Sequence, residues 1–274
     1  NKPFSCSTAA KVTAHGAAWS VMVSEINQWM LNEGIFHQVQ AYGASDIELG
    51  WNNPTLTRAW ITGFEQEEEN FFLHFGDAAG CPYEEKPWYS CGSAEWDIED
   101  VWYVSWGAPS ALPLPLIYLT SGVHAKQWAY LSQYSVAQHG YPMHFTGVFT
   151  QSGACLQFPG ACSGTENTPE QAYEQLLFEL NKNPETAQTL RWKTDIRWIL
   201  ASEINSKGFA FDEFSDSTKQ NALLNEISTL EAALSSQLLK AESRTLIEEK
   251  LERYQVIADN IELSRLNPAP KLFD

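Results

Sequence analysis

The alternation of helical and strand-like hydrophobic patterns between residues 15 and 181 constrains the fold of this chain most strongly. Apolar residues at helical spacing cover residues 15–34, 55–67, 125–139 and 169–181. Short apolar runs typical of strands cover residues 36–41, 46–49, 71–75, 101–106, 114–119 and 143–150. Strands that alternate with helices favour a parallel sheet covered by helices.

The predicted fold class is α/β, a (β/α)-barrel-like domain of the TIM type over residues 1–204. A dinucleotide-binding fold is disfavoured because no G-x-G-x-x-G motif follows any strand candidate. The strand candidates are fewer than the eight of a closed barrel, and the chain begins with a helix. We therefore expect either further strands upstream of Asn1 or a barrel that is incomplete at its N-terminus.

Residues 205–274 differ in character and predict a C-terminal helical extension. The segment 215–261 contains no Pro or Gly and repeats apolar residues every three or four positions. This pattern predicts a pair of helices with a break near residues 241–244, and one uninterrupted helix is the alternative. Two interpretations remain open for the pair: an arm for docking or oligomerisation, and a hairpin that lies on its own barrel.

The charge of the chain excludes several classes of partner. Asp and Glu number 34 against 17 Lys and Arg, which gives a net charge of -17 and a pI near 4.7. Such a field repels phosphate backbones and anionic lipid, so nucleic acid is not expected as a partner. No apolar run reaches the roughly 20 residues of a membrane helix, so no membrane span is expected.

The cysteines indicate an oxidising compartment. Cys81 and Cys91 flank a loop rich in Pro and Tyr, and Cys155 and Cys162 flank a Gly/Pro loop. Both spacings allow local disulfides, which favours a secreted or cell-surface protein over a cytosolic one with buried thiols. Zinc is less favoured because no CxxC or HxxxH spacing accompanies these residues. Cys6 is left over and is expected to pair with a missing N-terminal segment or a second copy.

The segment around residues 46–48 is the strongest candidate for chemistry. Alternate side chains of a strand share a face, so Asp46 and Glu48 are expected on one side, about 7 Å apart. Asp77 follows the next strand and is a third carboxylate for the same end of the sheet. Crowded carboxylates separate into a protonated acid and an anion, the pair that glycosidic cleavage requires. The alternative is that all three are solvated strand-end residues, helix caps or loop anchors.

Several stretches of the chain resemble a group of uncharacterised exported bacterial proteins over roughly residues 12–200. The stretches are GASDIELGWNNPTLTRAW from Gly43, FGDAAGCP from Phe75, EDVWYVSWGAP from Glu99, LPLIY from Leu114 and NTPEQAYEQL from Asn167. The barrel of that group is similar to those of family 25 lysozyme-like glycoside hydrolases, in which a strand D-x-E supplies catalytic carboxylates. The resemblance implies this role for Asp46 and Glu48, and it does not extend past about Ile204.

Aromatic residues beside the strand ends are candidate sugar contacts. Trp51, Trp106 and Tyr118 are the candidates, and aromatic core packing is the alternative for each. Neither His74 nor His144 has a carboxylate or cysteine at a metal-ligand spacing, so no metal is predicted. No cofactor is predicted.

Two functions follow from these features. The first is an exported glycoside-hydrolase-like protein that acts on or binds cell-wall or environmental polysaccharide, with carbohydrate as its partner. The second is a catalytically silent surface or assembly module that uses its barrel and helical arm for protein contacts. Fold class does not decide between them.

Overall fold

A computed structural model of the chain describes residues 8–50, 53–66, 69–83, 91–92, 95–158, 162, 167–197, 216–236 and 239–266. The helices of this part are α1 (Ala9–Asn32), α2 (Pro54–Phe64), α3 (Ile98–Trp102), α4 (Val123–His139), α5 (Ser152–Gln157), α6 (Pro169–Leu180), α7 (Asp216–Leu234) and α8 (Ala241–Leu266). A π-helical turn, Tyr103–Gly107, continues α3. The strands are β1 (Gly43–Ser45), β2 (Phe72–His74), β3 (Ala111–Pro113), β4 (Gly147–Thr150) and β5 (Trp192–Asp195).

The strands form two small parallel sheets, β1-β2-β3 and β4-β5. A parallel bridge between Leu116 and Phe149 joins the two sheets, and Phe149 N donates to Pro115 O at 2.9 Å beside it. The strands therefore follow one another in chain order as an open array. The helices pack around this array, and the hydrophobic core lies between the helices and the strands.

The prediction of a TIM-type (β/α) barrel is wrong. The described residues are about 56% helical, and their two small parallel sheets of three and two strands do not close into a barrel. A closed barrel needs enough strands, and enough stagger between them, to bring its first and last strands together. Repeated strand-helix alternation correctly indicates that the strands pair in parallel. It gives neither the number of strands in a sheet nor whether the sheet closes into a barrel.

The strand predicted at residues 101–106 is also wrong, because this segment is helical. Asp97 caps α3: its carboxylate accepts from Asp100 N at 2.8 Å, and Asp100 accepts in return from Asp97 N. This capping box starts a helix that continues through the π-helical turn to Gly107. The large apolar residues of this segment suggested a buried strand. They instead belong to a helical turn in the core.

Strand boundaries differ from those expected elsewhere. Residues 36–41, expected as a strand, lie outside any strand, and β1 ends at Ser45. Strand β5 was not among the strands expected from the sequence. The helices expected at 125–139 and 169–181 are confirmed as α4 and α6.

Helix α7 ends at Leu234 and helix α8 begins at Ala241, so residues 241–244, where the break was expected, belong to α8. Both helices pack against the rest of the chain. Lys250 Nζ donates to the carbonyls of Ala108 at 2.9 Å and Ala111 at 2.7 Å, just before and within β3. Arg253 donates to Asn70 O at 2.8 Å, ahead of β2. The contacts agree with a hairpin that lies on its own chain, and an oligomer stays a prediction.

The predicted disulfides are present as Cys81–Cys91 and Cys155–Cys162. Cys81 and Cys91 are buried, whereas Cys155 and Cys162 are partly exposed. The prediction for Cys6 lies outside the described residues. Across the residues that the structure describes, every helix is too short or too polar to span a bilayer.

Candidate active site

Three carboxylates lie where β1 and β2 end. Strand β1 stops at Ser45, but pairing with the next segment continues beyond it, since Phe75 N donates to Ser45 O at 3.1 Å and Asp77 N to Ile47 O at 3.3 Å. Ile47 and Leu49 are buried, while Asp46 is exposed and Glu48 half-buried. The alternation expected of an extended segment therefore persists, although residues 46–49 are not a strand.

Gly76 allows the two strand ends to approach closely. A Cβ atom at this position would lie 2.0 Å from Ile47 O, which no side chain can occupy. Asp77, the next residue, reaches across to the exit of β1, where its Oδ1 accepts from Leu49 N at 3.4 Å. The same oxygen accepts from Ala79 N at 3.2 Å. Asp77 thus has a fixed position beside the segment that carries Asp46 and Glu48.

The carboxylates perturb one another. Partial burial, followed by the charges of Asp46 and Asp77, raises the pKa of Glu48 to about 7. Burial and the charge of Asp77 also raise the pKa of Asp46 above its usual value. Burial raises the pKa of Asp77, and its two backbone hydrogen bonds oppose that shift. Glu48 is therefore the carboxyl that is partly protonated near neutral pH.

The ends of later strands contribute to the same region. Burial raises the pKa of Tyr118, which follows β3, and the charges of all three carboxylates and of Asp195 raise it further. The Tyr118 backbone N–H donates to His124 Nδ1 at 3.2 Å. Burial lowers the pKa of His124 to about 4, so this imidazole is neutral near pH 7 and carries its proton on Nε2. Four acids and a phenol thus share one electrostatic environment at the carboxyl ends of parallel strands.

Asp195 and His124 are residues that the sequence reasoning missed. Asp195 ends β5, where its two oxygens accept from Thr150 Oγ1 and Gly153 N, both at 2.7 Å. The sequence does contain a strand pattern that would have located Asp195. Trp192, Thr194 and Ile196 alternate with charged residues from Lys193 to Arg197 in a period of two. For His124, at the start of α4, no sequence pattern distinguishes it from a surface residue.

Trp106, a predicted sugar contact, does not join this site. Trp106 is 1% exposed, and its ring lies under Lys250 Nζ at 4.4 Å, so it has no surface for a sugar. Trp51 lies outside the described residues. Among those that are described, no three His, Cys, Asp or Glu side chains lie close enough to hold a metal ion.

The arrangement supplies the elements of general acid catalysis. A carboxyl with a pKa near 7 can donate a proton at neutral pH, and adjacent ionised carboxylates can stabilise developing positive charge. The neighbouring phenol of Tyr118 is protonated over the whole physiological pH range and can donate a hydrogen bond.

Comparison with protein-family models, with curated proteins and with solved structures finds no match to this chain. The resemblance to exported glycoside-hydrolase-like proteins therefore stays a prediction.

Proposed function

We propose that this protein is an exported glycoside-hydrolase-like enzyme that cleaves polysaccharide, with Glu48 as its general acid. The observation that carries the proposal is the elevated pKa of Glu48, about 7, beside the carboxylates of Asp46 and Asp77. Glycoside hydrolysis uses one carboxyl as a proton donor and another as an anion near the same bond. The carboxyl ends of parallel strands are also where α/β enzymes place their reacting groups.

In this proposal Glu48 protonates the oxygen of the leaving sugar as the glycosidic bond breaks, and a water molecule then adds to the anomeric carbon and returns a proton to Glu48. Asp46 is the partner carboxylate that stabilises the oxocarbenium-like transition state, because its charge acts directly on Glu48. Asp77 positions the exit of β1 through its bond to Leu49 N and adds a second negative charge. Tyr118 donates a hydrogen bond to the sugar.

Export is supported by the two disulfides. Each closes a loop of fewer than a dozen residues, and such bonds persist in oxidising compartments rather than in the cytosol. Polysaccharide of a cell wall or of the surroundings is the substrate class that an exported enzyme of this kind would meet.

The alternative is a catalytically silent surface or assembly module, and one observation favours it. Asp77 uses Oδ1 to hold two backbone N–H groups, which is the behaviour of a loop anchor. This interpretation explains Asp77 without catalysis, but it does not account for the elevated pKa of Glu48.

The test incubates the wild type, Glu48→Gln and Asp46→Asn with a panel of neutral, acidic and amino-sugar polysaccharides. Hydrolysis is measured as the release of reducing ends. We expect turnover by the wild type that declines as the pH rises past about 7, the value at which Glu48 loses its proton. Both variants should lose activity by roughly a hundredfold or more. Glu25→Gln, an exposed acid on α1, is the matched control and should be fully active. Equal turnover by wild type and Glu48→Gln, or none by any protein, overturns the proposal.

A further inference from the structure

Two adjoining cavities lie at the opposite end of the strands from the carboxylates. The first, about 330 Å³, is lined mainly by apolar side chains: Val39, Tyr42, Trp192, Leu223, Ile257 and Ile261. The second, about 400 Å³, is more polar and includes His144, Gln188, Thr229 and Glu226. Arg191, Ala222 and Tyr254 line both cavities. A continuous cleft therefore separates α7 and α8 from the segments that enter β1, β4 and β5.

Arg191 lies at the junction of the two cavities, where its charge helps to lower the pKa of Glu226 without forming an ion pair with it in the described residues. Within the described chain its side chain forms no hydrogen bond and no ion pair, and its one ring contact places the guanidinium 5.3 Å from the centroid of Trp192. This is notable in a protein with twice as many acidic as basic residues. A guanidinium stacked on an indole keeps its planar N–H donors available for a carboxylate.

The other ionisable groups around the cleft already have partners. Glu226 is the one acid among the residues that line the two cavities. Its carboxylate lies 3.2 Å from His144 Nδ1. His144 Nε2 lies 2.7 Å from the hydroxyl of Tyr141. Lys250, beneath the cleft, donates to three backbone carbonyls. Of the cationic side chains that line the two cavities, Arg191 is the one without a hydrogen bond or ion pair to a described residue, so its N–H donors remain for a ligand.

We propose that this cleft binds a small amphipathic monocarboxylate, with its carboxylate on Arg191 and its aliphatic or aromatic body in the apolar cavity. The body is apolar because Leu223, Ile257 and Ile261 form the wall next to the guanidinium. The head carries a single negative charge, since Glu226 lines the adjoining cavity and the whole chain carries -17. A phosphate head with two negative charges would be repelled by these acidic groups about twice as strongly as a carboxylate. The site is separate from the carboxylates of the proposed active site and does not depend on their function.

The experiment measures binding of octanoate to the intact protein by calorimetry at 0.15 M salt, with Trp fluorescence as a second readout because Trp192 lines the cavity. Octanol lacks the charge, octylamine reverses it, butyrate lacks the tail, and octyl phosphate tests the dianion. We expect octanoate to bind at least about tenfold more tightly than each of these, as a charge-assisted pair plus an apolar tail requires.

Arg191→Gln should weaken octanoate binding by about tenfold or more. Arg197→Gln, an exposed arginine outside both cavities, is the matched control and should bind as the wild type does. Ala222→Trp fills the junction of the cavities and should abolish binding while its circular dichroism stays native. No saturable octanoate binding, equal binding of octanol, or unchanged affinity in Arg191→Gln overturns the proposal. Tighter binding of octyl phosphate than of octanoate also overturns it.

Discussion

At the scale of single residues, the environment of each carboxyl decides its chemistry. Glu48 and Glu25 are the same residue type, but Glu48 is half-buried beside two carboxylates and Glu25 is exposed on α1. Burial and two like charges disfavour the ionised form of Glu48, and nothing in its immediate sequence reveals how far Asp77 is. The pKa of Glu48 is therefore a property of the pairing between β1 and β2.

Asp46→Asn should lower the pKa of Glu48 from about 7, and Asp77→Asn should lower it by less. The order follows from the larger effect of the Asp46 charge, and burial keeps the value above 4.5 in both variants. Carbon-detected NMR titration of the Glu side-chain carboxyls measures the shift, with Glu25→Gln as control. An unchanged pKa in Asp46→Asn would show that the two carboxylates do not interact.

The same shift predicts how Glu48 affects stability. Its folded pKa lies above the ordinary value of 4.5, so ionisation costs stability as the pH rises from about 4.5 through 7. Glu48→Gln should therefore be as stable as the wild type at pH 4 and more stable at pH 8. Urea unfolding at the two pH values measures the difference, and equal stability at pH 8 contradicts it.

His74 makes the opposite contribution at acid pH. It is fully buried in β2, and neither ring nitrogen has a hydrogen-bond partner in another described residue. Burial lowers its pKa to about 4, so the folded protein resists a proton that the unfolded chain accepts below about 6.5. The wild type should lose about 3 kcal/mol between pH 6.5 and pH 4 through this group. His74→Leu should remove that part of the acid sensitivity in urea unfolding, and an unchanged pH dependence would exclude it.

At the scale of elements, the crossing of α1 and α2 depends on two glycines. A Cβ atom at Gly16 would lie 2.0 Å from Trp60 O, and one at Gly63 would lie 1.9 Å from Thr13 O. Thr13 also donates to Ala59 O at 3.0 Å across the crossing. The buried face of α1 is accordingly formed by small residues together with Val12 and Val23, while large apolar residues such as Trp29 stay exposed.

Gly63→Ala should therefore destabilise the protein by about 3 kcal/mol, because the new methyl group forces the two helix backbones apart. Gly50→Ala is the matched control, since a Cβ atom at Gly50 meets nothing within 4 Å. The free energy of unfolding of both variants is measured in urea. A loss in Gly50→Ala as large as in Gly63→Ala would show that the crossing is not responsible.

At the scale of the whole molecule, the disulfides connect the proposed export with stability. Breaking Cys81–Cys91 by alanine substitution should cost about 3 kcal/mol, and breaking Cys155–Cys162 about 2.5 kcal/mol. The first should cost more because its sequence separation is 10 rather than 7 and both of its cysteines are buried. Thermal unfolding of the two double variants measures the order, and a reversed order contradicts it.

Sequence reasoning located most helices because their signals are local. The helical spacing before Gly140, which adopts φ 79°, predicts α4 and its end, and Pro169 after the capping residue Thr168 predicts the start of α6. It failed at residues 101–106, where a capping box outweighs a run of strand-forming residues. It also predicted that Asp46, Glu48 and Asp77 approach one another, but not that Asp195 and Tyr118 share their electrostatic environment.

The sequence by itself determined the α4 and α6 helices, both disulfide pairings and the common face of Asp46 and Glu48. These depend on residues within a few turns or one short loop of each other, where spacing alone sets the geometry. Only the tertiary structure decided that the strands stay open and that α8 inserts Lys250 before β3. It also decided that Arg191 lines a cleft without a hydrogen bond or ion pair to a described residue. Such contacts join residues far apart in the chain, and they form only when the packing of the whole core outweighs the entropy of closing the chain between them.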